Sequence, residues 1–248
     1  MSLLLVGVSG ILAGEMLQAQ LPQTRLHAVF PAGCQAGQSA EVRLTAGEDL
    51  EEISGLLFSH PGITAVQKQN EQGQPLENLF QVSVNADVPV GLYEVRCQGL
   101  FGTSNPRRFV VGGRPEVLET ETNDPAPAKA MPIELNTVVN GRMDGGTDID
   151  WFQFSARQGQ AITFDLWGER LDSRLDATLA VFDATGRRQL QVVRDTVGND
   201  PVLIFTPPAD GTYLLKLHDH LFRNGNDYGY RLEAHTGPHI VAVHPAAG

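Results

Sequence analysis

The sequence predicts an all-β fold of two tandem β-sandwiches, the first immunoglobulin-like and the second jelly-roll-like, and three observations carry that expectation. Short segments such as Glu41-Val-Arg-Leu-Thr45 and Tyr93-Glu-Val-Arg-Cys97 alternate apolar and polar residues with a period of two, the mark of a strand with one buried and one wet face. Gly, Pro, Asn and Asp punctuate these segments at short intervals, and helical periodicity is weak throughout. With 248 residues, 42% hydrophobic and 19% charged, the chain has the length and apolar content for two buried cores.

Taken in order, residues 1–20 open with an apolar run over 3–13, too short for a bilayer span of about 20 residues but right for the core of a secretory signal. Cleavage after Ala19 is the expectation, and it places the mature chain outside the cytoplasm: secreted, on the cell surface or in the periplasm. No later stretch is apolar enough to enter a membrane. Strands are expected at 26–30, 40–45, 53–58, 79–84, 91–98 and 107–111, a set that fits one immunoglobulin-like sandwich over residues 24–113. Val111-Gly-Gly-Arg-Pro115 ends it, because two glycines and a proline stop a strand.

A second sandwich is expected over residues 116–235, with strands at 137–142, 150–156, 161–167, 177–182, 188–193, 202–206, 211–218 and 228–234. Its turns are marked by Asp183-Ala-Thr-Gly186, Ala209-Asp-Gly211 and Arg223-Asn-Gly-Asn-Asp227. Near the end, Ile240-Val-Ala-Val-His-Pro-Ala-Ala-Gly248 echoes Leu26-His-Ala-Val-Phe-Pro-Ala-Gly33, so residues 238–248 are expected to begin a further module of the first type.

The chain holds two cysteines, Cys34 and Cys97. An even count in an exported chain favours a disulfide, and two buried reduced thiols are the alternative. The net charge is −11, most of it after Arg114. That sign repels phosphate backbones and anionic lipid, which argues against nucleic acid and membrane as partners and is compatible with bound cations.

The most specific chemistry lies in two acidic combs. Extended backbone places Glu119, Glu121 and Asn123 on one side of the chain, followed by Asp124, and it does the same for Asp148 and Asp150. Carboxylate and amide oxygens without Cys or His suit calcium, which takes about 6–8 oxygen ligands, better than zinc or copper. A solvated linker ahead of Pro125-Ala-Pro127 would read similarly.

Other constellations carry less. Ser9 lies in the apolar leader, and no other Ser or Cys sits in a catalytic context. His218-Asp-His220 has the spacing of two metal ligands without an evident third. The aromatics Trp151, Phe152, Phe154, Phe164 and Trp167 fit core packing on neighbouring strands.

Residues from about 116 to 234 resemble the bacterial pre-peptidase C-terminal domain. The likeness rests on Glu119-x-Glu121-x-Asn123-Asp124, Val139-x-Gly141, Asp148-x-Asp150-Trp-Phe152-x-Phe154, Gly159-Gln-x-Ile162, Leu175-Asp-x-x-Leu179-x-Val-Phe-Asp183-x-x-Gly186, Ala209-Asp-Gly-Thr-Tyr213 and Tyr228-x-Tyr230-x-Leu232. The preceding segment, with residues 26–33 and Ser104-Asn-Pro-Arg-Arg-Phe109, resembles the immunoglobulin-like units of large exported planctomycete-type proteins.

The resemblance implies an accessory domain rather than a catalyst. It also implies a calcium ion held by Glu119, Glu121, Asn123 and Asp124 together with Asp148 and Asp150, with Asp144 a further neighbour. Collagen-binding relatives present a tyrosine patch, whereas Tyr213, Tyr228 and Tyr230 lie in expected strands and read as packing residues. The expected role is a non-catalytic exported binding or scaffolding fragment whose partner is an extracellular protein or polysaccharide. The rival reading is the substrate-targeting appendage of a secreted protease or other hydrolase.

Overall fold

The computed structural model describes residues 21–120, 126–194 and 198–238. The strands are β1 (Arg25–Phe30), β2 (Gly33–Gln35), β3 (Ser39–Glu48), β4 (Gly55–Phe58), β5 (Ile63–Gln69), β6 (Pro75–Val84), β7 (Gly91–Gly99), β8 (Gly102–Thr103) and β9 (Arg107–Gly112). There follow β10 (Glu116–Leu118), β11 (Met131–Pro132), β12 (Thr137–Arg142), β13 (Asp150–Ala156), β14 (Ile162–Trp167), β15 (Ala177–Asp183), β16 (Gln189–Val193), β17 (Val202–Phe205), β18 (Gly211–Asp219) and β19 (Gly229–His235). Two single turns of 3-10 helix, Pro127–Lys129 and Glu169–Leu171, are the helical elements among the described residues. The all-β fold class is as the sequence predicts.

Four sheets form two packed pairs. In the first half, the sheet ordered β1-β3-β6-β5 faces the sheet ordered β2-β9-β7-β4, with β8 paired to β7. Pro31 interrupts the opening strand: β1 pairs with β3, and past the proline β2 crosses to run parallel with β9 in the other sheet. A proline has no N–H to give to a ladder, so the strand breaks there and changes sheet. Leu26, Val42, Phe80, Val82, Val95, Phe109 and Val111 fill the space between, each one fully or almost fully buried.

The second half pairs the sheet β10-β12-β19-β14-β17 with the sheet β11-β13-β18-β15-β16. Period-two alternation sends Phe152, Phe154 and Ala156 of β13 inward, to meet Phe164, Phe205, Tyr213, Leu215 and Leu217. Phe154 lies 4.9 Å from Phe164, 6.0 Å from Tyr213 and 6.4 Å from Phe205, ring centre to ring centre. Each such pair adds about 0.5–1.5 kcal/mol beyond the area it buries. Trp151 is buried as expected and Trp167 half-buried, but neither belongs to the cluster between the sheets. They fall on the outer faces, where Phe182 lies 5.1 Å from Trp151 and the Arg170 guanidinium 4.2 Å from Trp167.

The disulfide expectation is overturned: Cys34 and Cys97 are both free and buried. Cys34 on β2 is level with Val111 on β9, which is level with Gly91 on β7. Cys97 lies further along β7, opposite Leu56. At about 3.3 Å of rise per residue the two thiols are on the order of 20 Å apart, far beyond the roughly 7 Å that a disulfide spans. Burial, with the nearby Glu116 carboxylate, pushes the Cys34 thiol up to about 11, the behaviour of a small apolar core residue.

Candidate functional site

The site is built where β10, β12, β13 and β19 meet at one edge of the second sandwich. Strand β10 runs parallel to β12, and the ladder continues one residue past its end, with the Glu119 N–H donating to the Asn140 carbonyl at 2.8 Å. That bond hangs the Glu119 side chain over Gly141. Gly141 in turn pairs with Tyr230 of β19, and a methyl group in its place would press against the Tyr230 hydroxyl and within 2.8 Å of Glu119 Oε2. Glycine is therefore required for the carboxylate and the phenol to come together.

From the facing sheet, Asp150 enters with the same inward parity as Phe152 and Phe154 and is completely buried, and Asp148 is 2% exposed. The Tyr230 hydroxyl donates to Asp150 Oδ2 at 2.5 Å, and the backbone N–H of Asp144 donates to Asp148 Oδ2 at 2.6 Å. The other oxygen of each, Asp148 Oδ1 and Asp150 Oδ1, is buried with no hydrogen-bond donor. The Arg142 guanidinium pairs with Asp144 at 2.6 Å, and its backbone N–H donates to Glu119 Oε2 at 3.4 Å.

Burial, reinforced by the adjacent Glu119 and Asp148 carboxylates, holds Asp150 well above the usual carboxylate range, against the opposing pull of the Tyr230 hydrogen bond. Burial and the Asp150 and Glu119 charges likewise push the Tyr230 phenol well above its ordinary value, so it remains a donor. Ionised carboxylates held together away from water cost several kcal/mol unless a cation or a proton joins them. The chemistry of the donor set is hard oxygen with one aromatic hydroxyl bracing it, the ligand type that calcium takes and a thiophilic metal does not.

Of the six expected ligands, Glu119 and Asp148 lie near enough to act on Asp150 electrostatically, while Glu121, Asn123 and Asp124 lie outside the described residues. Among the described residues no group of three or more His, Cys, Asp and Glu is placed so that it could hold a metal ion. Asp144 supports the cluster through its backbone rather than its carboxylate. Two participants escape a reading by residue type. Tyr230 reads as packing, and it is packed, yet its hydroxyl is the donor to Asp150. Gly141 bears no ligand atom, and its contribution is the absence of a side chain.

The other candidates resolve as structure. The His218 ring stacks on Phe222 at 4.8 Å with an interplanar angle of 8°, and its Nδ1 shares a hydrogen bond with the Asp219 carbonyl. Burial lowers the His218 pKa, which keeps the ring neutral. Tyr213 and Tyr228 are buried at 7% and 4% exposure, so they form no exposed platform.

Residues 148–219 match the family model of the bacterial pre-peptidase C-terminal domain. A probable subtilase-type serine protease of Deinococcus radiodurans is 31% identical over 137 residues, 53% of this chain and 19% of that protein. The chain thus spans about a fifth of the length of the curated relative it matches. Among solved structures, the pre-peptidase C-terminal domain of the collagenase from Bacillus anthracis covers 50% of this chain and 99% of its own, with 19% identity and a TM-score of 0.35. SGBP-B of a Bacteroides ovatus mixed-linkage glucan utilization locus covers 88% of this chain and 45% of its own, with 14% identity and a TM-score of 0.28. The likeness of residues 148–219 to the pre-peptidase C-terminal domain rests on the sequence match.

Proposed function

We propose that the chain is a non-catalytic, exported binding or scaffolding unit whose second sandwich is closed by a structural calcium ion. The observation that carries this reading is the pair of buried, donor-less carboxylate oxygens of Asp148 and Asp150 beside Glu119. Glu119, Asp148 and Asp150 would hold the ion, with Glu121, Asn123 and Asp124 of the adjoining segment as further oxygen donors. When bound, calcium supplies positive charge to carboxylates that otherwise repel one another, and its binding energy becomes folding energy. Tyr230 orients Asp150, and the Asp144 N–H orients Asp148.

Melting with saturating calcium and with excess chelator tests the reading. A rise of the midpoint by about 5–10 °C is expected, corresponding to roughly 2–3 kcal/mol for ligand at about 100 times its dissociation constant. Equal midpoints, together with no heat of calcium binding, would overturn it. The partner proposed is an extracellular protein or polysaccharide.

A second reading is supported by the match to a subtilase-type protease: the chain would be the substrate-targeting appendage of a secreted hydrolase whose active site lies outside it. Retention of the purified chain on insoluble protein substrates is expected on either reading, and retention on polysaccharide alone favours the first.

A further inference from the structure

The outer face of the sheet β10-β12-β19-β14-β17 carries Arg231, whose guanidinium is 1% exposed although it projects away from the sandwich core. It donates to both oxygens of Glu116, at 2.6 and 2.8 Å, and to Asn140 Oδ1 at 2.9 Å. An arginine on the outside of a sheet is normally wet. Here the backbone of the first sandwich covers it: a methyl group at Gly33 on β2 would collide with Arg231 Nη1, and one at Gly112 on β9 would sit 3.0 Å from Glu116 Oε1 and 3.3 Å from Arg231 Nη2. Two glycines therefore let the edge of one sandwich settle directly on a satisfied ion pair of the other.

A second contact lies alongside. The backbone N–H of Arg108 on β9 donates to Asp172 Oδ2 at 3.2 Å, and its side chain donates to the Arg170 carbonyl at 3.1 Å. Arg107 and Arg108 place guanidinium nitrogens 3.9 and 3.8 Å from the same Asp172 carboxylate. Asp172 holds a left-handed backbone at φ 63°, which aims it at β9. Thr45 Oγ1 donates to the Asn226 carbonyl at 2.8 Å, and the Arg142 guanidinium lies 5.6 Å from the centre of the Phe30 ring. The space enclosed among Thr45, Phe30, Arg142 and Asp172 is about 20 Å³, room for about one water, and a wider groove of about 360 Å³ opens beside Gly33, Glu116 and Asn140. The link itself is three residues, 113–115, pinned where Arg114 pairs with Glu233 at 2.8 Å.

We propose that this sheet face is a docking surface for the first sandwich of the same chain, so that the two sandwiches unfold and tumble as one body. Polar joints between domains ordinarily permit relative motion. This one differs because separating the sandwiches would strip the cover from a fully engaged Arg–Glu–Asn set and leave Asp172 facing water without its two arginines.

Both tryptophans, Trp151 and Trp167, lie in the second sandwich, so indole fluorescence follows that sandwich alone while far-ultraviolet dichroism follows both. In the wild-type chain the two melting curves are expected to coincide. In Arg231→Met with Asp172→Asn they are expected to part by about 5 °C or more, with a larger radius of gyration by X-ray scattering. Asp172→Asn alone touches neither core, folds as the parent does, and is expected to show the same separation in smaller degree. Curves that are already separate in the wild type, or that stay superimposed with an unchanged radius of gyration in Asp172→Asn, would overturn the proposal.

Discussion

Asp150 shows how one position can be read correctly for chemistry and still conceal its environment. The alternation that sends Phe152 and Phe154 into the core sends Asp150 there too, and the fold tolerates this because Tyr230 meets one carboxylate oxygen. Replacing Asp150 with Asn removes a buried charge while keeping the hydroxyl's acceptor. In chelator the variant is expected to be as stable as the parent or more so, by up to about 1–3 kcal/mol, and its calcium-dependent rise in melting point is expected to vanish. Scanning calorimetry with and without calcium checks both arms.

Asp219 is the opposite case. It too is fully buried, and burial alone would raise it, but Arg223 through side chain and backbone and the N–H groups of Asp176 and Leu221 outweigh that and lower its pKa. A folded-state pKa below the unfolded value of about 3.9 contributes stability that is present above that value and is lost as pH falls through the folded one. Asp219→Asn is therefore expected to cost about 1–3 kcal/mol at pH 7, with the gap from wild type closing as pH drops below about 4. Urea midpoints from neutral to acid pH measure it.

At the scale of elements, long strands with clean alternation such as β7, β13 and β18 are legible, and the shortest pieces and the edge strand β5 are not. Strands β2, β10 and β11 have two or three residues each, too few to show a period, and they exist because a neighbouring strand offers a ladder. Strand β5 is an edge with Val66 71% exposed, so its apolar residues do not sort by face. The cysteines make the same point: each sits in or beside a strand as read, but register along β7 and β9 separates them. Reductant is expected to leave the melting point unchanged, and a thiol reagent to label neither cysteine in the native chain and both after unfolding. Phe154→Ala, which leaves a gap among Phe164, Phe205 and Tyr213, is expected to cost about 3–5 kcal/mol in chemical denaturation.

At the scale of the whole molecule, the all-β class and the net negative charge were written in the chain itself. Face alternation, turn residues and charge are properties of neighbours in sequence, which the backbone converts into strands without reference to the rest. Only the tertiary structure decided that Tyr230 and Gly141 complete the carboxylate cluster, that Cys34 and Cys97 never meet, and that Arg231 is sealed beneath Gly33. Each of those facts depends on register between strands far apart in sequence and on the close approach of two sandwiches. Long-range packing fixes both, and no local pattern encodes them.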